Sequence, residues 1–343
     1  MQQAHIKIIY TGGTIGMAPD VANGRLKPYS LDLLLAAIPE LKKMPCQLDY
    51  SSFESPVDSS DMNPERWQSL GQSIANDYEQ YDGFLVLHGS DTMAYTAAAL
   101  SFMFENLGKP VLLTGSQLPI GVLRSDAREN LLTALEIALF TRPDGKATVP
   151  EVAVYFEYDL YRGNRVYKDN AEDFEAFRSP NYPKLAEAGV KLKFNHAHIA
   201  RHTNRPFKYH HSLVPKVGVV HLFPGISPRQ LEHQLLETET EALVLLTFGN
   251  GNAPSGKAYR GLYEQAIKQG KCLVNVSQCR SGKVSQGQYA ASEALLEAGV
   301  ASGADILLEA ALAKLMHLMG AGLNGSPLAY AFSQPMRGEM SLD

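Results

Sequence analysis

His5-Ile6-Lys7-Ile8-Ile9-Tyr10-Thr11-Gly12-Gly13-Thr14 sets a short apolar run directly against a polar turn with two glycines. The run is rich in β-branched residues, as expected of a strand buried inside a parallel sheet. The same pattern returns at Phe84–Leu87, which runs into His88-Gly89-Ser90-Asp91-Thr92, and at Pro110–Leu113, which ends in Thr114-Gly115-Ser116-Gln117. Amphipathic stretches separate these runs. Asn63-Pro64 is a strong helix start, with Asn as N-cap and Pro at the first helical position, and the helix behind it places Trp67, Leu70 and Ile74 on one face. A helix is expected from the Ser90 turn through Phe104. Asp126 and Glu129 suit a capping box, and Leu131, Leu132, Leu135 and Leu139 give the helix behind them an apolar stripe.

Strands and helices in alternation predict an α/β fold. Glu151–Glu157 reads as a further strand, and the pattern resumes at Lys216–Leu222, Ala242–Thr247 and Cys272–Val276, with helical stretches near 255–269, 288–298 and 304–319. Between the halves the chain is irregular, polar and rich in His, Arg and Lys. The expected organisation is a larger N-terminal α/β domain over 1–194, a linker over 195–215, and a smaller C-terminal α/β domain with a parallel sheet over 216–343. A length of 343 residues agrees with two cores.

Composition narrows the function. Apolar residues make up 45% and charged residues 20%, an ordinary globular balance, and a net charge of -5 gives no electrostatic case for nucleic acid or an acidic membrane. The start, Met1-Gln2-Gln3-Ala4-His5, lacks the basic and apolar regions of a signal peptide, and no stretch approaches the roughly 18 apolar residues of a membrane helix. Cys46, Cys272 and Cys279 form no disulfide framework. A cytoplasmic location is the expectation.

The polar turns should converge, because ligands of open parallel sheets bind at the carboxyl ends of the strands. The candidates are Thr11–Thr14, Asp58–Asp61, His88–Thr92 and Thr114–Gln117, with Phe248–Asn252 as a further one. Gly12 and Gly13 allow close backbone approach and could present amides to an oxyanion beside Thr14. The plain alternative is a strand-exit turn in which Thr14 caps the next segment, and Ser90 and Asp91 are equally good helix caps. A hydroxyl beside a carboxylate on a crevice edge suits polarised nucleophile chemistry or capture of an ammonium group. Lys168 follows the polar loop Tyr161–Arg165. Beside Ser90 and Asp91, desolvation would lower its pKa and the carboxylate would oppose that, so the balance decides whether it acts as a base.

Tyr10–Met17 and His88–Tyr95 resemble the two signature segments of the asparaginase/glutaminase family. Asp58–Met62, Leu160–Arg165, Gly249–Pro254 and Asn275–Gly282 resemble its bacterial cytoplasmic type I branch, and the likeness runs along almost the whole chain. The resemblance implies hydrolysis of L-asparagine to L-aspartate and ammonia. By it, Thr14 is the acylated nucleophile, and Ser90, Asp91 and Lys168 form a second catalytic group in which Asp91 also holds the substrate's α-ammonium. Asp58, Ser59 and Ser60 match the loop around the α-carboxylate. No metal or organic cofactor is implied, and the assembly implied is a homodimer or homotetramer.

Three departures stand out. Ser90 replaces the family's second threonine, keeping the hydroxyl and losing the β-methyl. Arg25 falls where a flap tyrosine normally assists the nucleophile, and Tyr29 is the nearest substitute. Cys279 matches the cysteine of a regulatory asparagine site found in some type I enzymes, but Leu246 and Tyr167 stand where its arginine and threonine are expected, so homotropic activation is expected to be lost. Arg25 and Ser90 keep open a catalytically weakened amino-acid-binding homologue, and a glutamine-preferring amidase is a further alternative. His196, His198 and His202 have a zinc-like spacing but no acidic or thiol partner nearby, and no phosphate-loop or dinucleotide fingerprint occurs.

Overall fold

The computed structural model describes residues 3–19, 26–28, 36–287 and 290–342. It divides into two compact units, Met1–His211 and Ser212–Asp343.

In the first unit the opening run becomes strand β1, Ala4–Gly12. Ile6 and Ile8 are wholly buried and Ile9 and Tyr10 nearly so, so the strand is apolar on both faces and belongs inside a covered sheet. It pairs in parallel with β2 (Cys46–Val57) on one side and β3 (Gly83–Leu87) on the other. Strands β4 (Val111–Thr114) and β5 (Val152–Phe156) extend the parallel run beyond β3. Asp159–Arg162, Ala186–Ala188 and Leu192–Phe194 add antiparallel strands at that edge. The chain leaves β1 toward β2 and returns on the opposite side at β3, so the order β2-β1-β3-β4-β5 has its switch point between β1 and β3. That is where such a sheet opens a ligand crevice.

Helix α1 (Pro64–Asn76) starts as the sequence predicts: the Asn63 side chain accepts from the Arg66 amide, and Trp67, Leu70 and Ile74 are buried. Helix α2 (Met93–Met103) is buried along nearly its whole length, which fits its run of alanines against the sheet. Helix α3 (Ala127–Leu139) corrects an expectation. Asp126 makes no side-chain cap bond to its own helix. Its φ and ψ of -78° and -11° are helical, whereas a capping side chain needs an extended backbone to reach back over the first turn. Its carboxylate instead accepts the Gln117 and Leu118 amides, and Glu129 accepts from Thr133 and the Tyr155 hydroxyl.

The polar stretch before the second unit carries anchors its composition hid. Lys208–Tyr209 pairs with Phe104–Glu105, and Phe207 stacks on Tyr78 with ring centroids 3.8 Å apart.

The second unit is a parallel sheet of β6 (Val217–His221), β7 (Ala242–Thr247), β8 (Cys272–Ser277) and β9 (Ala301–Ser302), in that order. Its helices are α4 (Pro228–Leu236), α5 (Lys257–Lys268), α6 (Ala290–Ala298), α7 (Leu308–Gly320) and α8 (Gly325–Phe332). The first and last of these were not anticipated from the sequence. Lys314 and Glu339 form a wholly buried ion pair whose remaining donors and acceptors meet backbone groups. No helix among the described residues is long and apolar enough to cross a membrane.

Candidate active site

Four turns at the carboxyl ends of β1 to β4 meet around the switch point. Gly12 and Gly13 have φ of 128° and 88°, in the region that disfavours side chains. Space forbids a side chain as well: a Cβ on Gly12 would lie 2.1 Å from the Val57 carbonyl, and one on Gly13 would lie 2.3 Å from the Gly89 Cα. The glycines therefore let the Thr14 turn press against the end of β2 and against the turn that carries Ser90. Thr11 Oγ1 donates to the Leu87 carbonyl at 3.0 Å and ties β1 to β3. Beneath the Thr14 turn, the buried Tyr10 hydroxyl donates to the Gly16 carbonyl, and burial pushes its pKa up to about 12, so the donor stays protonated.

The loop after β2 lies on the same spot. Asp58 Oδ1 accepts from both the amide and the hydroxyl of Ser60 at 2.9 Å, which folds the turn. Ser59 is buried with its carbonyl accepting from Thr92 Oγ1 at 2.6 Å, and a Cβ on Gly89 would lie 2.6 Å from Ser59 Oγ.

Lys168 arrives from a separate hairpin, Tyr167–Lys168 against Phe177–Arg178. Its Nζ lies 2.8 Å from Ser90 Oγ and 2.5 Å from Asp91 Oδ1. The loop that leads to it is held by a buried ion pair, Arg162 to Glu151, with the guanidinium 4.4 Å over the Tyr182 ring. Ser90 is thus no simple cap. Helix α2 has no side-chain cap bond, and the Ser90 hydroxyl points to Lys168 and to Gln117 Oε1, 3.2 Å away. Ser90 is buried, whereas the Asp91 side chain is 67% exposed and open to a ligand.

Two contributors lie in turns that the sequence singles out, but the sequence gives them no role. His88 is wholly buried, and burial pushes its pKa down to about 4, so it is neutral. Its Nδ1 donates to the Gly89 carbonyl at 2.7 Å, since a carbonyl only accepts. Its Nε2 must then accept from Thr96 Oγ1 at 2.9 Å, and that oxygen accepts the Trp67 indole N–H at 2.9 Å. This chain fixes the tautomer and braces the turn from below. Gln117 is the second, and its role depends on partners far along the chain.

Arg25 and Tyr29 lie outside the described residues. Leu246 and Cys279 belong to the second unit and line a cavity of about 230 Å³ there, while Tyr167 belongs to the first. A wider apolar cavity of about 680 Å³, lined by Met44, Leu132, Leu139 and Phe140, sits by the start of β2 and the end of α3 and holds none of these hydroxyls. Among the described residues no group of three His, Cys, Asp or Glu is arranged to hold a metal.

Two hydroxyls on touching turns, one of them bonded to an ammonium that a neighbouring carboxylate also holds, suit nucleophilic acyl chemistry. The family described as Asparaginase, N-terminal matches residues 5–200, and the Glutaminase/Asparaginase C-terminal domain matches residues 216–332. The chain is 44% identical over 345 residues to L-asparaginase 1 of Escherichia coli (strain K12), spanning all of both chains. It superimposes on L-asparaginase I from Vibrio cholerae with a TM-score of 0.89 at 42% identity, covering 99% of this chain and 100% of that one. The thermostable L-asparaginase from Thermococcus kodakarensis aligns with a TM-score of 0.90 at 31% identity, with the same coverage.

Proposed function

The chain belongs to the asparaginase/glutaminase family and is an amidohydrolase, and we propose that it hydrolyses L-asparagine to L-aspartate and ammonia through an acyl intermediate on Thr14. The observation that carries this reading is the contact of the Gly13 and Gly89 backbones, which sets the Thr14 turn beside the Ser90–Lys168–Asp91 group. In the first step Thr14 Oγ attacks the side-chain amide carbon. The Thr14 proton passes to the leaving nitrogen, the C–N bond breaks, and ammonia departs from a β-aspartyl ester. Water then adds to the ester, one of its protons returns to Thr14 Oγ, and aspartate leaves. Ser90 relays protons with Lys168, whose ammonium is oriented by Asp91. Asp91 also holds the substrate's α-ammonium, and Asp58, Ser59 and Ser60 hold its α-carboxylate end. The same reading expects a cytoplasmic homodimer or homotetramer, which fractionation and sedimentation check.

The test is ammonia release from L-asparagine, from micromolar to tens of millimolar substrate, beside Thr14→Ala and Ser90→Ala. Saturable release abolished by both substitutions supports the two-hydroxyl mechanism. A wild-type protein that binds asparagine without releasing ammonia overturns it. Glutamine measured alongside sets the preference, since one methylene discriminates by only about 1–3 kcal/mol.

A further inference from the structure

Ser90 is unbranched at Cβ, so nothing in its own side chain selects the χ1 that faces Lys168. We propose that Gln117 is the positioning residue that fixes the Ser90 hydroxyl against Lys168. The inference rests on the functional reading above.

The polarity of the contacts is determined. Gln117 Nε2 lies 2.8 Å from the main-chain carbonyl of Asp173, which can only accept, so the amide nitrogen faces it and Oε1 faces Ser90. Lys168 as an ammonium only donates, so Ser90 Oγ accepts from it at 2.8 Å and directs its own proton to Gln117 Oε1 at 3.2 Å. The Ser90 hydroxyl is therefore held from two sides, with a lone pair on the lysine and its hydrogen on the glutamine. The glutamine is itself anchored. Its amide donates to Asp126 Oδ2 at 2.9 Å, the next amide donates to Oδ1 of the same carboxylate at 3.1 Å, and Asn130 braces that carboxylate and the Gly115 carbonyl. The aspartate that leaves its own helix uncapped thus serves this turn. Gln117 acts through Ser90 and is not a catalytic residue.

The experiment pairs Gln117→Leu with Ser90→Thr, because a β-branched residue restricts χ1 without help. Gln117→Leu is expected to lower kcat for asparagine roughly tenfold to a hundredfold, the scale at which misorientation acts, with KM changing by less than about threefold. In the Ser90→Thr background, the same Gln117→Leu change is expected to cost less than about threefold. An active wild type with Gln117→Leu unimpaired overturns the proposal. Equal kcat losses in both backgrounds overturn it too, as does a loss carried by KM, which would make Gln117 a substrate contact. A wild type that releases no ammonia overturns the functional reading first, and this one with it. If Gln117→Leu does not fold, Gln117→Met, of similar length, carries the same comparison.

Discussion

The carboxyl ends of β1 to β4 carry Thr14, Asp58, Ser59, Ser90, Asp91 and Gln117, whereas the corresponding ends of β6 to β8 carry His221, Leu246 and the run from Ser277 to Arg280. Both sheets have parallel strands leading to turns, and both sets of turns are rich in polar residues. The difference lies in where those polar groups find partners. In the second unit most of them satisfy one another and the backbone: Thr247 bonds Asn275, Asn275 bonds the Gly251 carbonyl, Gln278 bonds two carbonyls, and Arg280 pairs with Glu309. In the first unit a lysine from a separate hairpin is brought to Ser90 and Asp91, and the Asp91 carboxylate stays largely open to solvent. The same architecture therefore yields a braced end in one sheet and, on the reading proposed above, a reactive end in the other, so function is argued from the site and not from the fold.

The largest effect expected from this contrast is at Lys168. Lys168→Met keeps the stem and removes the ammonium that Ser90 and Asp91 share, and kcat should fall roughly 10³-fold or more. Thr14→Ala added to it should cost little more, because groups that act as one unit are not additive. Ammonia release under saturating asparagine measures both. A fall below about tenfold would mean that the first sheet's end is as structural as the second's.

A smaller effect is expected in stability. His88 braces the Ser90 turn only as a neutral ring, with a folded pKa of about 4 against an ordinary histidine value of 6.5. The sign follows from that depression: above about pH 6.5 both states are neutral and the full stability is present, and as pH falls the unfolded state takes up a proton that the folded state refuses. The loss accumulates down to about pH 4 and reaches on the order of 3 kcal/mol for this one group. Denaturant unfolding at a series of pH values measures it. His88→Gln retains a donor and an acceptor but does not titrate, so its stability should fall less steeply over that window. Equal slopes for the two proteins would remove His88 as the acid-sensitive brace.

What the sequence made legible was local. The Gly12-Gly13 turn, the Asn63-Pro64 start and the succession of apolar strand runs along the chain each rest on neighbours in the sequence, where glycine, capping and apolar patterns act directly. What it hid depended on distant partners. Asp126 looks like a cap, but its backbone is helical and its carboxylate serves amides nine residues back, at Gln117, and one further on. Gln117 gains meaning only once Asp173 and Ser90 flank it. Phe207 and Tyr209 sat in a stretch dominated by charge and histidine, which masked their packing against Tyr78 and Phe104. Helix α4 was readable, since Ser227 and Gln230 form a complete capping box after which Leu231 and Leu235 are buried; so short an apolar stripe is easily passed over.

The smallest effect sharpens the contrast from the second unit. Leu246, at the end of β7, lines the 230 Å³ cavity with Cys279 and Arg280, where resemblance to the type I branch expects an arginine to grip a regulatory asparagine. An apolar side chain offers no donor to a carboxylate. Two polar side chains beside it are already engaged: both Gln278 amide bonds go to the Leu222 and Leu246 carbonyls, and Arg280 faces Glu309. A ligand entering there would have to break those bonds, and the Leu222 carbonyl would lose its Gln278 donor, at a cost of about 1–3 kcal/mol. The rate should therefore rise hyperbolically with asparagine, with a Hill coefficient near one, and Leu246→Ala should leave the shape of that curve unchanged. A sigmoidal curve for the wild type would show that this end of the second sheet binds ligand after all, and the division between a reactive sheet and a braced one would have to be redrawn around Cys279 and Arg280.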